Sequence, residues 1–220
     1  MLVAYERKRR VSMKIRIRRI LTPVFLCLAV ACLIEIPLGQ TDLFGEDVIL
    51  WDTLFRAVAA MPGLLYFYRE DAVFRGEENW NWKNGAALFA AGAAVSLTFR
   101  LLFSLLRVPG YREAEQNLLT GTLWLELLVL LVAAPLLEEF FFRGVLYGRL
   151  KELFSAGASM VLTAVLFGLY HGNLSQGIYG FFMGLFLAWS MEHFKTVKAP
   201  FVIHMAANAA AIVLGIAINS

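Results

Sequence analysis

Long apolar stretches recur along this 220-residue chain and constrain its fold more than any other feature. A helix needs about 20 apolar residues to cross the ~30 Å hydrocarbon core of a bilayer. About seven stretches come near that length, at residues 20–38, 48–68, 85–106, 118–137, 158–172, 177–193 and 199–218. The chain is 60% hydrophobic, against about 45–50% in soluble domains. We therefore expect an all-α, polytopic membrane bundle of about seven to eight transmembrane helices, without a separate soluble domain.

Lys and Arg are unevenly distributed between the predicted loops. Residues 1–19 contain eight of them, and the loop GQTDLFGED after the first span contains none. Loops rich in Lys and Arg stay in the cytoplasm, so we expect a cytoplasmic N-terminus on a multi-pass membrane protein. We interpret residues 1–19 as a basic cytoplasmic segment that touches anionic lipid headgroups. Because this cluster adjoins a span, we expect no nucleic-acid partner.

Charged residues within apolar spans are rare, and each is a candidate functional residue. Asp52 and Arg56 lie four residues apart on one helical face, which favours a structural ion pair. The segment PLLEEFFFRGVLY is different, because it places Glu138 beside Glu139 and then Arg143. Glu139 and Arg143 share a helical face, whereas Glu138 points about 100° away. Arg143 can therefore hold Glu139 while Glu138 acts as a general base, although a buried ion cluster that fixes helix packing is an equal alternative.

Two of the three histidines lie in apolar helices downstream of the glutamate pair. His171 follows Phe167 by one helical turn, and His204 precedes Asn208 by one turn. The third histidine, His193, lies at a helix end and is expected to be exposed. A single His in an apolar helix is more often a core residue, but one Glu, two His and an Asn together are the parts of a water-activating hydrolytic site. Span counting puts Glu138 and His204 toward the cytoplasmic side and His171 deeper, so helix tilt, a long fourth helix or a broken fifth helix is needed to bring them together.

Small and polar residues near His171 predict close packing around a wet pocket. Gly180 and Gly184 have the GxxxG spacing that lets membrane helices approach closely. The segment GNLSQG after His171 is polar, and such segments occur at membrane depth only beside protein or a wet cavity. Cys27 and Cys32 lie in the first span on different helical faces, so we expect packing residues rather than a disulfide or metal pair.

These motifs resemble those of the CAAX-protease and bacteriocin-processing (CPBP, or Abi) family of intramembrane endopeptidases. The family motif EExxxR resembles EEFFFR, FxxxH resembles the segment ending in His171, and HxxxN resembles the segment that begins at His204. The resemblance implies a catalytic membrane core at residues 118–220, preceded by N-terminal membrane helices at residues 20–117. It also implies a role for each residue. Glu138 and His171 would activate water, and His204 and Asn208 would stabilise the oxyanion. The supporting residues would be Glu139, Arg143 and Phe167.

Metal dependence is left open by the residues. Glu138, His171 and His204 form an acceptable zinc set with an open position for water. The chain has no HExxH motif, however, and Asn is a poor zinc ligand but a good oxyanion donor. We therefore favour a glutamate-type mechanism without a cofactor, with Zn²⁺ as the alternative.

The leading functional hypothesis is an intramembrane endopeptidase that cleaves a membrane-associated peptide or protein, in a bacterial or archaeal cytoplasmic membrane. One alternative is a non-catalytic bacteriocin-immunity or binding protein of the same fold. A less favoured alternative is a proton-coupled transporter that uses the two glutamates as a relay. The sequence shows no inverted repeat, which counts against the transporter.

Overall fold

The described residues are mostly helical and form seven principal helices. The structure is a computed structural model that describes residues 12–111 and 121–219. The helices are α1 (Met13–Leu38), α2 (Val48–Glu70), α3 (Trp82–Leu106), α4 (residues 123–150), α5 (Ala156–Tyr170), α6 (Leu174–Phe194) and α7 (Lys198–Asn219). A one-turn helix, Ala72–Arg75, follows α2. Most of the basic segment 1–19 and the proposed boundary between residues 117 and 118 lie outside the described residues.

Within residues 12–111 and 121–219, four helices are long and apolar enough to cross a membrane. They are Met13–Leu38, Gly45–Glu70, Trp82–Leu106 and Lys198–Ala217. Between the third and fourth of these lie α4, which carries several charged residues, α5, which has only 15 residues, and α6, which has polar residues in its first and last turns. The predicted all-α membrane bundle is thus confirmed, and its less apolar helices are those that carry the predicted site.

Successive helices alternate in direction, which gives the bundle two distinct ends. At the basic end, where α1 begins, Arg19 binds Glu152 and Arg149 binds Asp71, with nitrogen–oxygen distances of 3.1 and 2.7 Å. At the opposite end, Thr122 N–H donates to Asp47 Oδ1 over 2.8 Å. The starts of α1, α3, α5 and α7 and the ends of α2, α4 and α6 therefore lie at the basic end.

The longest interfaces pair α3 with α7 and α5 with α6, while α4 contacts helices on several sides. Glycines allow the close approach in both pairs. A Cβ on Gly92 of α3 would lie 2.4 Å from the carbonyl oxygen of Ile203 in α7, and one on Gly168 of α5 would lie 2.6 Å from that of Gly177 in α6. Because backbone meets backbone there, these positions have no room for a side chain.

Aromatic and aliphatic side chains from five helices, α3 to α7, form the core around the middle of the bundle. Phe142 of α4, Phe167 of α5, Leu187 of α6 and Ile203 of α7 are all buried in one cluster. Phe142 and Phe167 meet edge to face with their ring centroids 5.2 Å apart. The predicted site residues lie on the turns next to this core, so their positions are set by close packing.

Candidate active site

Helix α4 departs from regular α geometry on both sides of the glutamate pair. Its α-helical segment Ala134–Glu139 lies between two π-helical segments, Val129–Ala133 and Phe140–Tyr147. The Ala134 N–H donates to the carbonyl of Val129, five residues earlier, and Pro135 has no N–H to donate. The carbonyl of Leu130 instead accepts a 2.7 Å hydrogen bond from Asn208 Nδ2 of α7. The irregular helix therefore orients the Asn208 side chain.

One oxygen of Glu139 accepts a hydrogen bond within α4 and another from α7. Arg143 Nη1 donates to Glu139 Oε1 over 3.0 Å, and His204 Nδ1 lies 2.8 Å from the same atom. The side chains of Glu139 and Arg143 are fully buried, and Arg143 Nη2 also donates to the carbonyl of Gly184 over 3.4 Å. The predicted pairing of Glu139 with Arg143 is therefore present, and the pair also holds the ring of His204.

Glu138 points to a different side of α4 from Glu139. Its Oε2 lies 3.9 Å from His204 Nε2, and its side chain is 13% exposed. That oxygen is buried and has no hydrogen-bond partner among the described residues. A carboxylate is costly to bury in this way, so Glu138 presents an acceptor that a water molecule or a substrate group would satisfy.

His171 lies at the end of α5 with its ring held in one orientation. Its Nδ1 lies 2.8 Å from the carbonyl oxygen of Phe167. A carbonyl only accepts, so Nδ1 carries the hydrogen and Nε2 of the neutral ring keeps its lone pair. The Phe167 ring packs edge to face against both His171 and His204, at centroid distances of 4.8 and 5.9 Å. Phe167 thus lies against both rings, as the sequence predicted for His171.

Glu138, His171, His204 and Asn208 line one cavity of about 320 Å³, which we call the polar cavity. The cavity extends toward the opposite end between α3, α4, α6 and α7. The predicted difference in depth between His171 and the other two residues, Glu138 and His204, is small for two reasons. Helix α4 is long and carries Glu138 near its middle, and α5 has 15 residues, about 22 Å, so His171 ends it within the bundle.

Glu138 also lines a second cavity of about 430 Å³ on the far side of α4, which we call the apolar cavity. Side chains of α1, α2, α4 and α5 form its walls, among them Cys27, Phe141 and Leu166. Arg56 lies in the same wall and forms the predicted ion pair with Asp52. The Glu138 carboxylate therefore faces both the polar cavity and the apolar cavity.

The described residues do not present a preassembled set of zinc ligands. Glu138 and His204 approach each other, but the described residues contain no cluster of three or more His, Cys, Asp or Glu side chains that could hold a metal ion. Nδ1 of His204 bonds to Glu139 and Nδ1 of His171 bonds to a carbonyl, so Nε2 is the nitrogen of each ring that would face an ion. Metal dependence stays a prediction.

Several minor predictions agree with the structure. His193 is exposed and stacks on Trp189 with ring centroids 5.4 Å apart, and both cysteines are free thiols. Gly180 and Gly184 of α6 both pack closely against α5. The polar segment after His171 is a tight turn, in which Gly172 adopts a φ of 65°.

Two contributions to the site were missed in the sequence. The first is the carbonyl of Leu130. Its signal in the sequence is Pro135, because a proline inside a helix has no N–H to donate to an earlier carbonyl. The second is α3, which carries no motif but forms one wall of the polar cavity. Its Ser96 Oγ donates to the carbonyl of Ala207 over 3.0 Å, so α3 also fixes the position of α7 beside His204.

Comparisons with known proteins find similarity in the region that forms this site. Residues 120–210 match the family model of the type II CAAX prenyl endopeptidase Rce1-like proteins. A Bacillus subtilis (strain 168) protein named "Putative membrane peptidase YdiL" is 25% identical over 128 residues, which are 58% of this chain and 52% of that protein. The chain thus spans about half the length of the curated relative it matches. No solved structure matches.

The matched region contains the glutamate pair, Arg143, both histidines of the polar cavity and Asn208. The three motifs occur in the predicted order and meet around one cavity. The match of residues 120–210 to this family model agrees with the resemblance to the CPBP family of membrane proteases that the sequence motifs indicated.

Proposed function

We propose that this protein is a membrane endopeptidase that hydrolyses a peptide bond with water activated by Glu138 and His171. The observation that carries the proposal is the buried Glu138 Oε2, which has no hydrogen-bond partner in the described part of the chain and lines a cavity shared with His171, His204 and Asn208. A base needs a free acceptor within reach of water. Glu138 offers such an acceptor, and it lies in the region of the chain that matches a protease family model.

In the proposed reaction, water binds between Glu138 and the Nε2 lone pair of His171. Glu138 takes one proton as the water oxygen attacks the carbonyl carbon of the peptide, while His171 Nε2 accepts a hydrogen bond from the other O–H of the water. The C–N bond then breaks, and the proton passes to the leaving amine. The fixed tautomer of His171 supports this role, because the bond from Nδ1 to the Phe167 carbonyl leaves Nε2 as the acceptor.

His204 and Asn208 are proposed to stabilise the negative charge that develops on the carbonyl oxygen. Glu139 only accepts, so His204 carries a hydrogen on Nδ1, and the protonated ring would donate from Nε2. The amide of Asn208 uses one N–H toward the Leu130 carbonyl and has a second available. Such preorganised donors favour the transition state over the substrate.

The substrate is proposed to be a membrane-associated peptide or protein. The matching family model is named for prenyl endopeptidases, so prenylated CAAX segments are the first substrates to test. Bacteriocin precursors and C-terminal sorting tags of exported proteins are the further candidates. The apolar cavity beside Glu138 supports a substrate that arrives from the bilayer.

The test is cleavage of a panel of fluorogenic, membrane-anchored peptides of these three kinds by the purified protein. We expect Glu138→Ala and His171→Ala to lower kcat by about 100- to 10,000-fold, as for loss of a general base. Asn208→Ala should cost about 100- to 1,000-fold, as for one oxyanion donor. His193→Ala is the matched control and should cleave like the wild type, since His193 is exposed away from the cavity.

Two outcomes would contradict the proposal. Equal cleavage by the wild type and Glu138→Ala would show that Glu138 has no role in the reaction. Binding of a peptide by both proteins without cleavage of any panel member would favour the non-catalytic binding protein. A chelator should leave cleavage unchanged, and activity lost to a chelator and restored by zinc would overturn the metal-free mechanism.

A further inference from the structure

Tyr179 of α6 lies in the wall of the polar cavity, and the proposed reaction gives it no part. Its ring packs edge to face on Phe99 of α3, with ring centroids 5.6 Å apart. Its hydroxyl forms a hydrogen bond with the side chain of Ser96, which lies on the same helix as Phe99. A buried tyrosine hydroxyl usually finds a partner, so the role of Tyr179 depends on what Ser96 does in turn.

Ser96 connects Tyr179 to the backbone of α7. Ser96 is buried, and its Oγ donates to the carbonyl oxygen of Ala207 over 3.0 Å. Because its single hydrogen is used in this bond, Ser96 accepts from the Tyr179 hydroxyl. The two hydroxyls and the Ala207 carbonyl thus form a series of hydrogen bonds from α6 through α3 to α7, which we call the hydroxyl chain. Each bond in such a series polarises the next.

The hydroxyl chain ends on the residue before Asn208. Gly92 and Ser96 lie four residues apart on one face of α3, and they meet two residues of α7 that are also four apart, Ile203 and Ala207. The residues that follow these two are the proposed oxyanion donors. They lie 100° further round α7 and line the polar cavity. The contacts with α3 therefore set the rotation of α7 about its axis, and with it the direction of the oxyanion donors.

We propose that Tyr179 is a positioning residue, which holds Asn208 in the geometry of an oxyanion donor through Ser96 and Ala207. The inference rests on the proposed function, because that function assigns Asn208 to the oxyanion. One N–H of the Asn208 amide is fixed by the Leu130 carbonyl, 2.7 Å from Nδ2. The hydroxyl chain fixes the backbone beside it, so the second N–H keeps its direction. Such alignment matters because an oxyanion donor acts only from a preorganised position.

The kinetic test is Tyr179→Phe, which removes only a hydroxyl, on a peptide that the wild type cleaves. We expect kcat to fall about 3- to 10-fold, as for one neutral hydrogen bond, with KM unchanged. In protein that also carries Asn208→Ala, Tyr179→Phe should have no further effect on kcat, because the group that it positions is gone. Ser96→Ala should lower kcat by the same factor, and the two substitutions together should cost no more than either alone.

Tyr147→Phe is the matched control. The Tyr147 hydroxyl donates to Glu192 Oε2 over 2.9 Å at the basic end, so this variant also loses one hydrogen bond from a tyrosine hydroxyl. The two variants should lose similar thermal stability. Tyr147→Phe should nevertheless keep the wild-type kcat, because its hydroxyl has no connection to α7.

A second measurement does not depend on cleavage. In protein labelled with ¹⁵N on asparagine, the side-chain NMR signal that is absent from Asn208→Ala belongs to Asn208. We expect Tyr179→Phe and Ser96→Ala to raise the hydrogen-exchange rate of this amide group about 3- to 10-fold, because a lost hydrogen bond makes local opening easier. Tyr147→Phe should leave this rate unchanged.

The two measurements separate this inference from the proposed function. Faster exchange at Asn208 in Tyr179→Phe supports the positioning role even if no peptide is cleaved, whereas unchanged exchange would overturn it. A wild-type kcat in Tyr179→Phe, an effect that persists beside Asn208→Ala, or an equal loss of kcat in Tyr147→Phe would also overturn it. A rise in KM alone would make Tyr179 a substrate-binding residue and would contradict the positioning role.

Discussion

Two adjacent glutamates have different surroundings in this protein. Glu139 is fully buried and accepts hydrogen bonds from Arg143 and His204. The Oε2 atoms of both glutamates have no hydrogen-bond partner among the described residues, but Glu138 lines two cavities, whereas Glu139 is enclosed by protein. The first carboxylate has its charge compensated within the protein, and the second is available to water or to a ligand.

Substitution of each glutamate by glutamine should therefore have opposite consequences. Glu139→Gln leaves Arg143 as a buried cation without its partner, which should lower the free energy of unfolding by about 3 to 5 kcal/mol. Glu138→Gln removes a poorly compensated buried carboxylate, so stability should stay the same or rise, while cleavage is lost. Thermal unfolding in detergent, beside the cleavage assay, measures both. A larger loss of stability in Glu138→Gln than in Glu139→Gln would contradict this assignment.

The sequence predicted the local contacts of the site better than its distant ones. The pairing of Glu139 with Arg143 follows from helical spacing, because the residues are four apart. The bonds from His204 to Glu139 and from Asn208 to Leu130 join residues 65 and 78 positions apart. The motifs indicated that these residues belong together, but helix packing determines which atoms meet.

At the level of elements, α4 shows why apolar patterns locate helices better than they locate helix ends. The apolar pattern predicts a span over residues 118–137, whereas the helix covers residues 123–150. Glu138, Glu139 and Arg143 interrupt the apolar run, yet the helix continues because Glu139 and Arg143 find partners within the bundle. The π-helical segments and the freed carbonyl of Leu130 could not be derived from hydropathy.

The α5–α6 interface offers a direct test of how packing holds His171. A Cβ on Gly168 would lie 2.6 Å from the carbonyl oxygen of Gly177, whereas one on Gly157 meets nothing within 4 Å. We expect Gly168→Ala to separate the helices, cost about 1 to 3 kcal/mol in stability and reduce cleavage. Gly157→Ala, in the same helix, should be neutral or slightly stabilising. Equal thermal stability of the two variants would show that the contact is not tight.

The α3–α7 interface tests whether the N-terminal half supports the site. Gly92 of α3 meets the backbone of Ile203, the residue before His204. Gly92→Ala should therefore displace α7. We expect a lower cleavage rate and a loss of about 1 to 3 kcal/mol in the free energy of unfolding. Cleavage rates and unfolding temperatures, with Gly157→Ala again as the control, measure both effects. Full activity in Gly92→Ala would mean that α3 does not set the position of His204.

At the level of the whole molecule, the N-terminal helices complete the site although they contain no recognisable motif. Helix α3 forms a wall of the polar cavity, and α1 and α2 contribute to the apolar cavity. The sequence predicted the fold class correctly because long apolar stretches leave few alternatives. It could not assign a role to residues 20–117, because a cavity wall needs only apolar side chains in the right place.

The orientation of the bundle is a prediction that concerns the whole molecule. The basic residues before and within the start of α1 favour a cytoplasmic position for that end. In a protein with Cys27→Ser and Cys32→Ser, we expect Thr41→Cys to react with a membrane-impermeant maleimide in intact cells. Ser12→Cys should react only after lysis. Both positions are exposed, so the reverse labelling pattern would mean the opposite orientation.

The location of Glu138 between two cavities has a consequence for how the two reactants arrive. The apolar cavity is bounded by the lipid-crossing helices α1 and α2, and the polar cavity by the hydrogen-bonding groups of α6 and α7. A hydrophobic chain and a water molecule can thus reach the same carboxylate from opposite sides of α4. In the proposed reaction, neither reactant would have to displace the other on the way in, so hydrolysis at Glu138 would need no aqueous channel through the side that faces the lipid.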